Sequence, residues 1–168
     1  LDEVQTGIGK TGKMFAYQWE DIKPDIITSA KAIANGLPLG VTIVNEKVAD
    51  SITPGSHGST FGGNPVSIAV AEKVMNLLDE DQLDDIYEMG ESLKTAIQQV
   101  SGRIVEVRGK GMMIGIQLHE DIPVKEIVNL LNEHKILTCA AANNTLRLLP
   151  SFLININDIE YFISIFAD

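Results

Sequence analysis

Three glycines within six residues, Gly7, Gly9 and Gly12, forbid a regular helix near the start of this chain and require a loop there. A second stretch, residues 53–63, imposes the same constraint through Gly55, Gly58, Gly62 and Gly63. Between them runs Asp25-Ile26-Ile27-Thr28-Ser29-Ala30, short, β-branched and mostly apolar. That pattern reads as a buried strand. Lys31 follows it directly.

The rest of the chain alternates in the same manner. Residues 14–20 are aromatic and amphipathic, and Pro24 ends that pattern. Val41-Thr42-Ile43-Val44 gives a second short strand. Asn64 is a good N-cap and Pro65 suits a first helical turn. A helix is expected from there to Leu78, with Val66, Ala69, Val70, Val74, Leu77 and Leu78 on one broad face. Asp79-Glu80-Asp81 separates it from a second helix over about residues 82–100. Further on, Arg103–Val107 and Met112–Leu118 alternate, punctuated by Gly109 and Gly111. Residues 123–135 read as helix and 136–149 as two short strands about Asn143-Asn144. A last helix is capped by Asn157 or Asp158. This order is α/β or α+β. The boundary falls near residue 79, giving domains 1–78 and 79–168.

Composition narrows the partners. Lys plus Arg is 13 against 23 for Asp plus Glu, a net charge of −10. Such a chain is repelled by nucleic acid and by anionic membranes, so neither is expected as a partner. No apolar run reaches the roughly 20 residues that span a bilayer. Cys139 is the only cysteine, which favours a reducing compartment and a cytoplasmic location.

Several segments carry chemistry, each with an ordinary alternative. Gly7-Ile8-Gly9-Lys10-Thr11-Gly12 fits dinucleotide-loop spacing, yet an aromatic stretch and Pro24 follow it instead of an opening helix. A phosphate loop ending at Gly9-Lys10-Thr11 would need glycine at position 4, which is Val4. Asp2-Glu3 is either a solvated loop pair or a carboxylate at the edge of a sheet, where α/β ligands sit. Lys31 is either a surface residue or a nucleophile, since Ser29 and Ala30 leave room for a planar ring and desolvation activates an amine. His57 to Pro65 sets hydroxyls and free N–H groups before a helix N-terminus, which suits phosphate, or is a flexible loop with a good cap. Arg147, between Leu146 and Leu148, needs a carboxylate if buried, from the protein or from a substrate. In order, these are an acid, a lysine, a hydroxyl loop and an arginine, the set that pyridoxal phosphate requires.

At these residues the chain resembles the class III pyridoxal-phosphate-dependent aminotransferases. The resemblance is carried by Asp2-Glu3-Val4-Gln5-Thr6-Gly7 with Gly9-Lys10-Thr11-Gly12, by Pro24 to Lys31, by Asn35 to Gly40, by His57 to Pro65, and by Leu146 to Pro150. It extends over essentially the whole chain. It implies an α/β fold of type I, with 1–78 as the C-terminal part of the cofactor-binding large domain and 79–168 as the C-terminal small domain.

The resemblance also implies roles. Lys31 would be the catalytic residue and hold pyridoxal 5'-phosphate as a Schiff base. Asp2 would pair with the pyridine nitrogen, and Gln5 would lie near the ring 3-hydroxyl. Ser59 and Thr60 would reach the cofactor phosphate across a homodimer interface. Arg147 would clamp the α-carboxylate of substrate, and no metal is implied. Lys13 to Tyr17 and Asn35 to Pro38 look most like the acetylornithine-type members. That implies transfer of the δ-amino group of N-acetylornithine to 2-oxoglutarate, in arginine biosynthesis. Ornithine and other ω-amino transaminases share much of this pattern. A non-catalytic fold or dimerisation fragment is the reading from another class.

Two departures stand out. Lys10 occupies a position where the family usually has Arg, so a guanidinium fork is missing from that turn. Family chains are also much longer, and this one opens without Met. The expectation is a C-terminal portion, inactive alone, lacking a Gly-Thr phosphate loop, a ring-stacking aromatic and a substrate-gating Glu.

Overall fold

The computed structural model describes residues 1–100 and 102–167. It divides into two compact units, Leu1–Asp84 and the residues from Asp85 onward.

In the first unit, Leu1 to Glu3 lies parallel to strand β1 (Ile26–Ser29). The Glu3 N–H donates to the Thr28 carbonyl at 2.8 Å and the Thr28 N–H to the Leu1 carbonyl at 2.9 Å. Asp2 is the bridge partner of Thr28. Along its other edge β1 pairs antiparallel with β2 (Val41–Val44), Ser29 opposite Val41. The expectation of a buried β1 is corrected. Ile27 and Ser29 are buried but Ile26 is 43% exposed, because the pleat alternates and only one face of this sheet is covered.

The aromatic stretch of residues 14–20 folds as a short 3-10 turn, Ala16–Trp19. Helix α1 (Glu46–Ala49) is one turn, capped by Asn45. Helix α2 (Pro65–Leu77) begins where the sequence indicates. Asn64 Oδ1 accepts from the N–H groups of Val66 at 3.0 Å and Ser67 at 3.2 Å. Its covered face is narrower than expected and differently placed. Ser67 and Ala71 are buried, with Val74 and Leu78 partly so, whereas Val66 is 64% and Leu77 58% exposed. A stripe at i, i+4, i+7 and i+11 is one helical face, and Val66 and Leu77 fall beside it. Ala71 joins Ile8, Ile33 and Ala34 in a small core.

The boundary between units falls inside helix α3 (Glu80–Gln98). Its buried residues Ile86, Gly90, Leu93 and Ile97 again keep helical spacing. The second unit builds a four-stranded antiparallel sheet in the order β3 (Ile104–Lys110), β4 (Met113–Leu118), β6 (Thr145–Leu148), β5 (Cys139–Ala141). Strand β4 buries every second residue, Ile114, Ile116 and Leu118, as its alternation requires. These pack with Leu146 and Leu148 of β6 and with helices α4 (Val124–Glu133) and α5 (Ile156–Phe166). Phe162 and Phe166 stack at 5.4 Å between centroids. The α5 cap is Asn155, not Asn157 or Asp158. Asn155 Oδ1 accepts from the N–H groups of Asn157 at 2.9 Å and Asp158 at 3.4 Å, and the Asp158 carboxylate returns a bond to the Asn155 N–H. Among the described residues no helix is long and apolar enough to cross a membrane.

Candidate active site

The opening loop separates its two acids. Glu3 is buried and spends its carboxylate internally. Oε1 accepts the Tyr17 N–H at 2.8 Å and Oε2 accepts the Thr6 hydroxyl. Its carbonyl accepts the Gly7 N–H at 3.0 Å. That closure needs Gly7, since a Cβ there would fall 2.7 Å from the Glu3 carbonyl oxygen. Asp2 remains exposed, and its Oδ1 accepts the neighbouring Val4 N–H at 2.9 Å. Gln5 is partly buried on the same turn. Lys10 is packed deeply enough that burial lowers its pKa below the usual 10.5.

Lys31 ends β1. Since residues 1–3 and β1 run parallel, Asp2 and Lys31 both come at the carboxyl ends of paired segments, Asp2 beside Thr28 and Lys31 three residues beyond it. Lys31 is exposed. Its backbone sits in the left-handed region at φ +52, which for a non-glycine residue costs on the order of 1 kcal/mol. Two residues earlier, the Ser29 hydroxyl is buried without a hydrogen-bond partner among the described residues.

Ser59 and Thr60 lie exposed in the second glycine-rich loop, where the Gly62 N–H closes a turn onto the Ser59 carbonyl at 3.3 Å. Nothing lies within 4 Å of the Cβ positions at Gly58 and Gly63. Arg147 belongs to the second unit, on β6 opposite Gly115 of β4 and Cys139 of β5. It is partly buried, and its Nε has no hydrogen-bond partner among the described residues.

This donor set has a definite chemistry. An exposed amine and an exposed carboxylate at one end of a parallel pair suit a carbonyl-bearing, basic heterocycle. Free hydroxyls in an open glycine loop suit its phosphate. An arginine whose Nε has no hydrogen-bond partner among the described residues suits a carboxylate. The residues present therefore fit pyridoxal phosphate.

The whole chain, residues 1–168, matches the aminotransferase class-III family, and the chain belongs to that family. Its fold is the mixed α/β fold of those enzymes. Among its relatives is the acetylornithine aminotransferase of Lactococcus lactis subsp. lactis, 44% identical over 153 residues, which cover 89% of this chain and 41% of that protein. The solved acetylornithine aminotransferase of Elizabethkingia anophelis superposes with a TM-score of 0.88 at 33% identity, over 98% of this chain and 43% of that one. The ornithine aminotransferase of Toxoplasma gondii, solved with partial PLP occupancy at its active site, superposes at 0.87 with 29% identity, over 99% of this chain and 41% of that one. The chain thus spans about two fifths of the length of the curated relative.

Two residues escape the sequence reading. Glu3 reads as half of an acidic pair, yet it is the strut of the loop that carries Asp2 and Gln5. A loop of this kind leaves N–H groups needing acceptors, and that was its signal. Arg108 of β3 reaches across the sheet to Thr145 of β6. Its signal was Gly115, a glycine in mid-strand, which marks a close approach.

Proposed function

We propose that this chain forms part of an aminotransferase that carries pyridoxal 5'-phosphate on Lys31 and moves the δ-amino group of N-acetylornithine to 2-oxoglutarate. One observation carries the reading: Asp2 and Lys31 at the carboxyl ends of two parallel-paired segments. When bound, the cofactor supplies a ring that withdraws electrons from the carbon bearing the transferred nitrogen. Asp2 holds the proton on the ring nitrogen. Gln5 bonds the ring 3-hydroxyl, and Ser59 and Thr60 donate to the phosphate. Lys31 takes the proton from the substrate carbon and returns it. Arg147 fixes the substrate carboxylate through its fork. In this reading residues 1–78 belong to the cofactor-binding large domain and 79–168 to the small domain of a cytoplasmic homodimer. Neither nucleic acid nor a membrane is a partner.

Ornithine is the second donor to weigh, because the Toxoplasma gondii ornithine aminotransferase superposes as well as the acetylornithine enzyme. Both donors present a primary amine at the end of the same carbon chain, and parallel assays separate them. The assignment of Lys31 is tested without turnover. The chain is incubated with pyridoxal phosphate, reduced with borohydride and mapped by peptide mass. The expected result is a phosphopyridoxyl group on Lys31 that is absent from Lys31→Ala. Label spread over other lysines with Lys31 unmodified would overturn it.

A further inference from the structure

We propose that Arg108 is a second arm of the carboxylate site, donating beside Arg147 on the open face of the four-stranded sheet; this rests on the reading of Arg147 given above. The register sets Arg108, Gly115, Arg147 and Cys139 in one row across β3, β4, β6 and β5. Residues directly opposite in antiparallel pairs project to the same face. The residues alternating with them, Ile114, Ile116, Leu146 and Leu148, fill the core on the other face.

Gly115 opens the route. A Cβ there would lie 3.7 Å from Cγ and from Nε of Arg108, so the arginine passes directly over this strand. Its guanidinium crosses β4 and donates from Nη2 to Thr145 Oγ1 on β6 at 3.0 Å. Thr145 and Arg147 are two apart on one strand, hence on one face and roughly 7 Å from each other along it. Two guanidinium-bearing side chains therefore share one face of the sheet, Arg108 anchored at Thr145, two residues from Arg147 on β6.

Among the described residues only Arg108 is bonded to an acid. Arg108 Nη1 donates to Glu106 Oε2 at 2.8 Å and to Gln117 Oε1 at 3.3 Å. The Arg147 Nε is buried and has no hydrogen-bond partner among the described residues. Counted over the described residues, these two cations share one bonded carboxylate, an excess of positive charge within a chain of net charge −10. Like charges on neighbouring positions are unfavourable unless an anion joins them. A guanidinium has five N–H groups, and Arg108 leaves part of its donor set uncommitted. A planar carboxylate can take the fork of Arg147 and one further N–H from Arg108. Arg108 thus raises affinity and sets orientation, and takes no proton.

The test is a titration of the 168-residue chain with glutarate, a dicarboxylate without a reacting carbonyl, followed through the amide signals of Gly115, Thr145 and Arg147. Shifts are expected at those amides and are lost in Arg147→Gln. Arg108→Gln is expected to weaken binding about tenfold, the effect of one charge-assisted hydrogen bond. Arg108→Lys should fall between, keeping the charge without the fork. Thr145→Val removes the anchor of Arg108 and no charge, and should weaken binding as well, which guards against a folding defect in the arginine variants. Unchanged affinity in both Arg108→Gln and Thr145→Val overturns the proposal, and so does sulfate that competes as well as glutarate at equal ionic strength. Glutarate binding needs no cofactor. Failure to label Lys31 while glutarate still binds would therefore sink the functional reading and leave this one standing.

Discussion

A methyl group on Gly90 would lie 2.2 Å from the carbonyl oxygen of Gly111. Helix α3 and the turn before β4 meet here backbone to backbone, with no flexible side chain able to give way. In an exposed helix interior, Gly→Ala stabilises by about 1 kcal/mol. Here the sign reverses, because the turn must move. Gly90→Ala is expected to destabilise the second unit by roughly 1–3 kcal/mol. Urea denaturation followed by circular dichroism checks this, and a stabilised variant would show that the approach is looser than the structure has it.

Asn144 caps a helix twenty residues upstream in the chain. Its Oδ1 accepts the Val124 N–H at 2.9 Å, and its Nδ2 donates to the carbonyls of His119 at 2.8 Å and Ile122 at 2.9 Å. Pro123, at the α4 N-cap position, offers no side-chain oxygen of its own. The Asn144 backbone is left-handed at φ +49, which asparagine tolerates better than alanine. Asn144→Ala loses the cap, strands two carbonyls and strains the turn, for an expected cost of about 2–4 kcal/mol. Asn144→Gly keeps the backbone at ease and loses only the hydrogen bonds. A smaller drop in midpoint for glycine than for alanine separates the two contributions.

What could be read in the sequence was local. Asn64-Pro65 announces α2 because a cap and a fixed φ act within one turn. Val41 to Val44 is a strand to the residue. The sequence points to Asn157 or Asp158 as the cap of α5, two or three residues late, because Asn155, Asn157 and Asp158 are all competent and only the loop geometry selects among them. The order β3-β4-β6-β5 could not be read, since pairing is settled by contacts distant in sequence. For the same reason Lys31, Asp2, Ser59 and Thr60 stand out in their own segments, whereas Arg108 gains its meaning from Thr145, 37 residues away.

Burial lowers the pKa of Lys10, so its charged form is disfavoured in the fold relative to the unfolded chain. Between the lowered value and 10.5 the unfolded state binds more protons, and stability therefore rises with pH across that window. Below the window the penalty is present in full. Lys10→Met is expected to remove this slope while wild type keeps it. Chemical denaturation at several pH values from neutral to 10.5 reads the difference directly. Parallel curves for the two proteins would mean that Lys10 is as well solvated as in the unfolded chain.

Asp2→Asn separates chemistry from folding more cleanly than any other change in this chain. The carboxylate is exposed, and its one side-chain hydrogen bond among the described residues is accepted from the Val4 N–H, a bond that the amide oxygen of asparagine can accept equally well. The backbone contacts that tie residues 1–3 to β1 run through Leu1 and Glu3 and do not involve this side chain. The melting midpoint is therefore expected to be unchanged. The proposed role is different, since a neutral amide cannot hold a proton on a ring nitrogen, and without that proton the ring withdraws electrons poorly. Turnover in the enzyme carrying this change is expected to fall by roughly two orders of magnitude, the scale seen when a group that meets developing charge is removed. Steady-state rates measured beside thermal melts decide the matter. A rate within a factor of a few of wild type, with the midpoint held, would remove Asp2 from the site.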